Sequence, residues 1–158
     1  MNRQNRGFLI YDRELTIGLS GVGRIIPTKL GISRPTLTEV LDAGDILFVD
    51  NSHRVFTNSD VTTIFLDILP ILKKGVLVQF HDIFLPFDYP EEWSKRYYSE
   101  QYILGAYLLG GGKDIDILLP NFYISNKPQL HRILSQFWDD PSSEIIETHG
   151  GSFWIIKK

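Results

Sequence analysis

Two short apolar runs, each followed by polar residues and separated by a helical pattern, constrain the fold of this chain most. The first run covers residues 46–49 and precedes the sequence Asp-Asn-Ser-His, and the second covers 76–80 and precedes His81 and Asp82. The segment between them is long enough for a crossover helix, which indicates two parallel strands joined by that helix. Polar groups at the ends of such strands face the crevice where open α/β sheets bind ligands. We therefore expect any chemistry of this chain at these two strand ends.

The composition indicates one folded domain and excludes several functional classes. A chain of 158 residues with 43% hydrophobic and 13% aromatic residues can bury a sizeable core. Its net charge of −3 argues against a general nucleic-acid binder. The absence of cysteine excludes disulfides and thiolate zinc sites, and no apolar run is long enough to cross a bilayer. We therefore expect a cytoplasmic protein with no nucleic-acid partner and no membrane partner.

Weaker patterns predict the elements on either side of this central unit. Residues 8–11 form a candidate strand. The glycine-containing segment 18–23 predicts a turn between two short strands, because the residues after it are extended and do not open a helix. Pro70 should distort the last turn of the crossover helix. The other predicted elements are a capping box at 36–39, a loop over 83–93, a buried helix over 98–109, a strand over 114–119, a helix from 126 and a closing strand over 151–158.

Several motifs in this order resemble the class I S-adenosylmethionine-dependent methyltransferases. They are GDILFVDNSH, LPILKKGVLVQFHDIFLPFDYPEEW, SEQYILGAYL, DIDILLPNFYIS and GGSFWIIKK. The resemblance begins near Thr36, so we divide the chain into an N-terminal segment, 1–35, and the C-terminal part of a methyltransferase domain, 36–158. It implies an α/β fold: a partial Rossmann-like sheet of parallel strands with a C-terminal antiparallel hairpin and helices on both faces.

The N-terminal end departs from the pattern of these enzymes. They carry an earlier strand and a glycine-rich turn that holds the methionine end of the cofactor, but only about forty residues precede the first central strand here. Three strands with their crossovers do not fit there, because each such unit needs about 30 residues or more. We therefore expect a truncated domain in which residues 8–14 correspond at most to the second strand of the family.

The resemblance implies the function and the cofactor-binding residues. The reaction would be methyl transfer from S-adenosylmethionine to an oxygen or nitrogen nucleophile of a small molecule. The cofactor-binding residues would be Asp12 and Glu14, one of which would bind the ribose hydroxyls, together with Asp50, Asn51 and Ser52. A truncated sheet would also expose an apolar edge, so we expect a homo-oligomer formed through that edge.

The catalytic candidates are His53, His81 and Asp82. Either imidazole could take a proton from the acceptor as the methyl group arrives, because an unperturbed imidazole titrates near neutrality. The alternative for each histidine is a hydrogen bond to a strand-end carbonyl or carboxylate. Glu100 lies in an otherwise apolar helix and needs a partner if it is buried, so it is a candidate for contact with the 83–93 loop or the substrate.

A metal site is the remaining question at the strand ends. Asp50 and Asp82 could bind Mg²⁺, which takes oxygen ligands. Metal-dependent O-methyltransferases have an asparagine after the second aspartate, whereas Ile83 stands there in this chain, so we assign no metal ligands. Two alternatives to a methyltransferase stay open: a non-catalytic Rossmann-like module, and a metal-dependent enzyme that uses Asp50, His53, His81 and Asp82.

Overall fold

The computed structural model describes residues 8–12, 24–25, 41–132, 135 and 149–158, with only the backbone of 8–12, 24–25 and His131. Within these ranges six strands form one mixed sheet. They are β1 (Phe8–Asp12), β2 (Arg24–Ile25), β3 (Ile46–Asp50), β4 (Leu77–Phe80), β5 (Ile115–Pro120) and β6 (Phe153–Lys157). The order across the sheet is β2-β1-β3-β4-β6-β5.

The sheet has a parallel part and an antiparallel part. β1 pairs in parallel with β2 and with β3, and β3 pairs in parallel with β4. β6 lies antiparallel to both β4 and β5. The chain is therefore a mixed α/β protein. Its last two strands pair antiparallel, as expected, but residues 121–152, which include helical segments, separate them, so they do not form a simple hairpin. The placement of helices on both faces stays a prediction.

The crossover between β3 and β4 is a short helix that changes its form along its length. It begins as α1 (Asp60–Thr63), widens to a π-helix over Ile64–Ile68 and ends as a 3₁₀ turn over Leu69–Ile71. The N-cap is Ser59, whose side chain accepts a hydrogen bond from the backbone N–H of Thr62. Pro70 lies in the final turn and has no N–H to donate, so the predicted distortion there is confirmed.

The other helices follow β4 in the chain. They are a 3₁₀ segment over Glu91–Arg96, α2 (Glu100–Leu109), α3 (Asn121–Ser125) and α4 (Pro128–His131). Of the described helices, none is both long and apolar enough to span a membrane. The predicted capping box at 36–39 lies outside the described residues.

The core lies between the central strands and the crossover helix. β3 alternates, with Leu47 and Val49 buried, and the rings of Phe65 and Phe80 stack with centroids 5.4 Å apart. The fully buried apolar side chains at the centre are Val49, Val61, Ile64, Leu69, Val76, Phe80, Leu104 and Ile155. This core fixes β3 and β4 side by side, so their carboxyl ends meet at one edge of the sheet.

The two N-terminal strands differ from our expectation. β1 lies directly beside β3, where the classic doubly wound order has its first strand, and not in the position of the second strand. β1 and β2 lie on either side of the predicted turn at 18–23, and they pair in parallel. The glycines at 18–23 lie outside the described residues.

Candidate functional site

The carboxyl ends of β3 and β4 bring together four side chains that were predicted from the sequence. The Nε2 atom of His53 lies 3.3 Å from Oδ1 of Asp50 and 3.8 Å from Oδ2 of Asp82. The Nδ1 atom of His81 lies 3.0 Å from Oδ1 of Asp82 and 3.9 Å from Oδ1 of Asp50. We refer to Asp50, His53, His81 and Asp82 as the strand-end cluster. Its members come from two neighbouring parallel strands, as the β-α-β pattern predicted.

The backbone at this cluster adopts sparsely populated conformations. Of the four non-glycine residues with positive φ in the described structure, two belong to the cluster: His53 at 54° and Asp82 at 53°. The turns are held by backbone hydrogen bonds, since the N–H of His81 donates to Val49 O and that of Ile83 to Gly151 O. Such conformations persist where the surroundings fix them, and they concentrate at functional sites.

Glu100 is a fully buried carboxylate directly behind the cluster. Its side chain is 0% exposed, its Oε2 lies 2.8 Å from Nδ1 of His53, and its Oε1 accepts a hydrogen bond from Nδ2 of Asn51 at 2.7 Å. The backbone N–H groups of Ser99 and Glu100 both donate to the carbonyl of His53. The first turn of α2 is thus attached to the strand-end turn, and the partner that a buried glutamate required is His53.

The histidines and carboxylates shift one another's pKa values. Burial alone would lower the pKa of His53, but its hydrogen bonds to Asp50 and Glu100 and the nearby negative charges outweigh this effect and raise the pKa to about 9. The hydrogen bond from His53 lowers the pKa of Asp50. The hydrogen bond to Asp82 raises the pKa of His81. Burial raises the pKa of Glu100 against the opposing effect of His53. The cluster therefore favours a positive charge among its carboxylates.

Asn51 and Ser52 serve the architecture of the turn in this structure. Asn51 is 8% exposed, and its Oδ1 accepts the backbone N–H of His53 at 2.7 Å. The backbone N–H of Ser52 donates to Oδ2 of Asp60 at 2.9 Å, and its hydroxyl donates to the other carboxylate oxygen of Asp60. Contact of either residue with a cofactor stays a prediction.

Of the two acidic residues predicted to bind the cofactor in the N-terminal segment, the structure describes one. Asp12 ends β1 and is paired in register with Asp50, so two acidic residues end neighbouring strands at this edge. Glu14 lies outside the described residues.

An aromatic wall lies beside the cluster. The ring of Tyr98 is 4.6 Å from that of His53, and Trp93 packs edge-on against Tyr98. The guanidinium of Arg96 lies 3.9 Å from the ring centre of Trp93. The loop predicted over 83–93 thus packs against the segment that precedes α2.

Three members of the cluster offer ligand atoms close enough for one metal ion. One atom each from Asp50, His53 and His81 lies within 4.8 Å of the other two. From the sequence no metal ligands were assigned, because Ile83 follows Asp82, but a metal-dependent enzyme that uses Asp50, His53, His81 and Asp82 was left open. The contact between His53 and Glu100 was missed, since nothing local links a turn to a helix 47 positions later.

Comparison with known proteins bears on the N-terminal half of the chain. The family model described as a methyltransferase domain matches residues 2–83. Searches of the curated proteins and of the solved structures found no match. The matched segment contains β1 to β4 and all four members of the strand-end cluster. Because it covers just over half of the sequence, the chain belongs to the methyltransferase-domain family.

Proposed function

We propose that this chain transfers a methyl group from S-adenosylmethionine to an oxygen or nitrogen atom of a small molecule. Family membership supports methyl transfer in general. The observation that carries the finer proposal is the strand-end cluster, which lies at the edge where open α/β sheets bind ligands. It offers two imidazoles and two carboxylates within one small volume.

Two acidic residues at the ends of β1 and β3 are compatible with a cofactor site. Asp12 and Asp50 end adjacent parallel strands in register, at the edge where open α/β sheets bind ligands, and carboxylates accept hydrogen bonds from hydroxyl and amino groups. When bound, S-adenosylmethionine supplies an electrophilic methyl group. This fit supports a cofactor site at the ends of β1 and β3.

The contribution of the protein's own residues would be positioning and proton removal. Aligning an acceptor with a methyl donor converts a two-body encounter into an intramolecular one. The acceptor must also lose a proton, and a positioned base assists that step. His81 is the most exposed member of the cluster, since its side chain is 46% exposed whereas that of His53 is 4% exposed, and its Nδ1 lies 3.0 Å from Oδ1 of Asp82. Proton removal is therefore assigned to the His81–Asp82 pair.

Calorimetric titration with S-adenosylmethionine and its demethylated product tests the cofactor assignment. We expect saturable binding, and we expect Asp12→Asn to weaken it about tenfold, since a lost hydrogen bond to a charged group is worth about 1.5–3 kcal/mol. Asp116→Asn is the matched control, because Asp116 is an exposed carboxylate on β5 that pairs with Lys158. Absence of binding at millimolar ligand would contradict the proposal.

Product analysis by mass spectrometry tests the transfer itself. Isotope-labelled cofactor would be incubated with a panel of small hydroxyl and amine compounds. We expect His81→Ala and Asp82→Asn to reduce methylation about 100-fold or more, as loss of a general base does, while cofactor binding is retained. Cofactor binding without methylation of any acceptor would instead favour the non-catalytic module.

A further inference from the structure

We propose that Asp50, His53 and His81 together bind one divalent transition-metal ion of the class that includes Zn²⁺, Fe²⁺ and Co²⁺. Each residue presents a ligand atom within 4.8 Å of the other two. Two imidazoles and one carboxylate suit these borderline-soft ions, whereas Mg²⁺ is bound through oxygen atoms. The donor set therefore points away from magnesium.

The distances are close to those of a formed site. Ligand atoms bound tetrahedrally at about 2.0–2.1 Å lie about 3.3 Å from one another. Nε2 of His53 and Oδ1 of Asp50 are already 3.3 Å apart. Nδ1 of His81 is 3.9 Å from the same oxygen and 3.0 Å from Oδ1 of Asp82, and this side chain is 46% exposed. To bind the ion through this atom, His81 would exchange its contact with Asp82 for one with the ion.

Glu100 prepares His53 for this role. When Nδ1 of His53 donates its proton to the carboxylate of Glu100, Nε2 is the nitrogen left to face Asp50. The donation of Asn51 to the other oxygen of Glu100 holds that carboxylate in place. A histidine that binds a metal through one ring nitrogen usually donates the N–H of its other ring nitrogen to a carboxylate or carbonyl, which fixes its orientation. Glu100 is therefore a positioning residue.

The charge of the cluster also favours a cation. With neutral imidazoles, the carboxylates of Asp50, Asp82 and Glu100 place three negative charges around His53, and Glu100 is fully buried. Buried charge is costly unless it is compensated, and one divalent ion would compensate two of the three charges. Among the described residues, the protonated histidines compensate these carboxylates when no ion is bound, and a bound ion would take the place of their protons.

The role of the ion rests on the proposed function, but its binding does not. A cation at the strand ends would lower the pKa of an acceptor hydroxyl. With His81 bound to the ion, proton removal would fall to Asp82 alone, which lies 3.8 Å from Nε2 of His53. Metal binding is tested without cofactor or acceptor, so failure of one proposal is distinguishable from failure of the other.

The test uses the full chain without a histidine tag, treated with chelator and then dialysed. We expect Zn²⁺ and Co²⁺ to bind one per chain in calorimetry and Mg²⁺ not to bind. Bound Co²⁺ should show the visible absorption typical of nitrogen and oxygen ligation at low coordination number. Glu100→Gln should keep one ion per chain but lower the affinity about 10–100-fold, because the carboxylate that orients the ligand His53 is lost.

Variants of the half-exposed ligands keep the proposal falsifiable. Asp50 and His81 are 36% and 46% exposed, so Asp50→Asn and His81→Ala are compatible with folding, which circular dichroism would verify. Each variant should weaken Co²⁺ binding at least about tenfold, because a residue that binds the ion directly is lost, and should abolish the visible spectrum of bound Co²⁺. Asp116→Asn, remote on β5, should leave binding unchanged. Wild-type binding no tighter than millimolar, or binding unaffected by both ligand variants, would overturn the proposal.

Discussion

Asn51 shows how one polar side chain can hold the strand-end turn and α2 together. Its Nδ2 donates to Glu100, and its Oδ1 accepts from the backbone N–H of His53, both at 2.7 Å. Asn51→Ala removes both hydrogen bonds and leaves two buried groups without these partners. We expect a loss of about 1–3 kcal/mol in the free energy of unfolding, measured by urea denaturation.

Asn126→Ala is the matched control for this variant. Asn126 is exposed and its side chain donates to the carbonyl of Phe122, four residues earlier, so its replacement should change stability by no more than about 0.5 kcal/mol. Equal effects of the two substitutions would show that the buried contacts of Asn51 contribute nothing to stability.

The cluster was predictable from sequence only in part. Asp50 and Asp82 could be placed together because each directly follows a run of strand-forming residues, and parallel strands end at the same edge. His53 and His81 came with them for the same reason. Glu100 could be recognised as a buried charge that needed a partner, but its choice of His53 depends on how α2 packs, which no local pattern records.

Among the elements, the crossover helix depends on its cap. Ser59 is 2% exposed, and its hydroxyl accepts from the N–H of Thr62 at 3.1 Å. Ser59→Ala should reduce the free energy of unfolding by about 0.5–2 kcal/mol, the usual cost of losing such a cap. Ser94→Ala, at an exposed position of the 3₁₀ segment, should have no measurable effect in the same urea titration. No difference between the two variants would refute the capping role.

Asp114 connects the antiparallel pair of β5 and β6 to α2. This carboxylate accepts from Nζ of Lys157 on β6 and from the hydroxyl of Tyr107 on α2. Burial would raise the pKa of Asp114, but these two hydrogen bonds outweigh it and lower the pKa below the ordinary value of 3.8. Ionised Asp114 therefore stabilises the fold above that ordinary value, and the stabilisation is lost as the pH falls through the lowered pKa.

Asp114→Asn should consequently destabilise the protein by about 1 kcal/mol near neutral pH, since the carboxylate is partly exposed. The difference from wild type should shrink as the pH falls below 3.8 and through the lowered pKa of Asp114. Urea unfolding over a series of decreasing pH values measures this. A difference that does not depend on pH would mean that the hydrogen-bond geometry, and not the charge, matters.

Some elements could be predicted from the sequence better than others. The distorted last turn of the crossover helix could be predicted from Pro70, whereas the π-helix over Ile64–Ile68 could not. The strands that pair with residues 8–12 could not be predicted, because a five-residue apolar run is compatible with several positions in a sheet. Only the pairing of β1 with both β2 and β3 identifies it as an interior strand.

On the scale of the whole molecule, β5 has the most exposed apolar side chains among strands β3 to β6. Within the described sheet it pairs only with β6, and its consecutive side chains Ile117, Leu118 and Leu119 are 49%, 46% and 42% exposed. An apolar groove of about 470 Å³ lies beside it, where Leu109 is 91% exposed. An unpaired strand edge with apolar side chains is a template for association with another chain.

We therefore expect self-association through this edge, seen as a mass that rises with protein concentration in size exclusion with light scattering. The double variant Ile117→Lys and Leu119→Lys should require at least about tenfold higher concentration to associate, because lysines at an edge oppose strand pairing. Leu66→Lys is the matched control, since Leu66 is 67% exposed on the crossover helix, away from β5. A wild-type chain that stays monomeric at every concentration, or an equal effect of Leu66→Lys, would show that the β5 edge is not the contact.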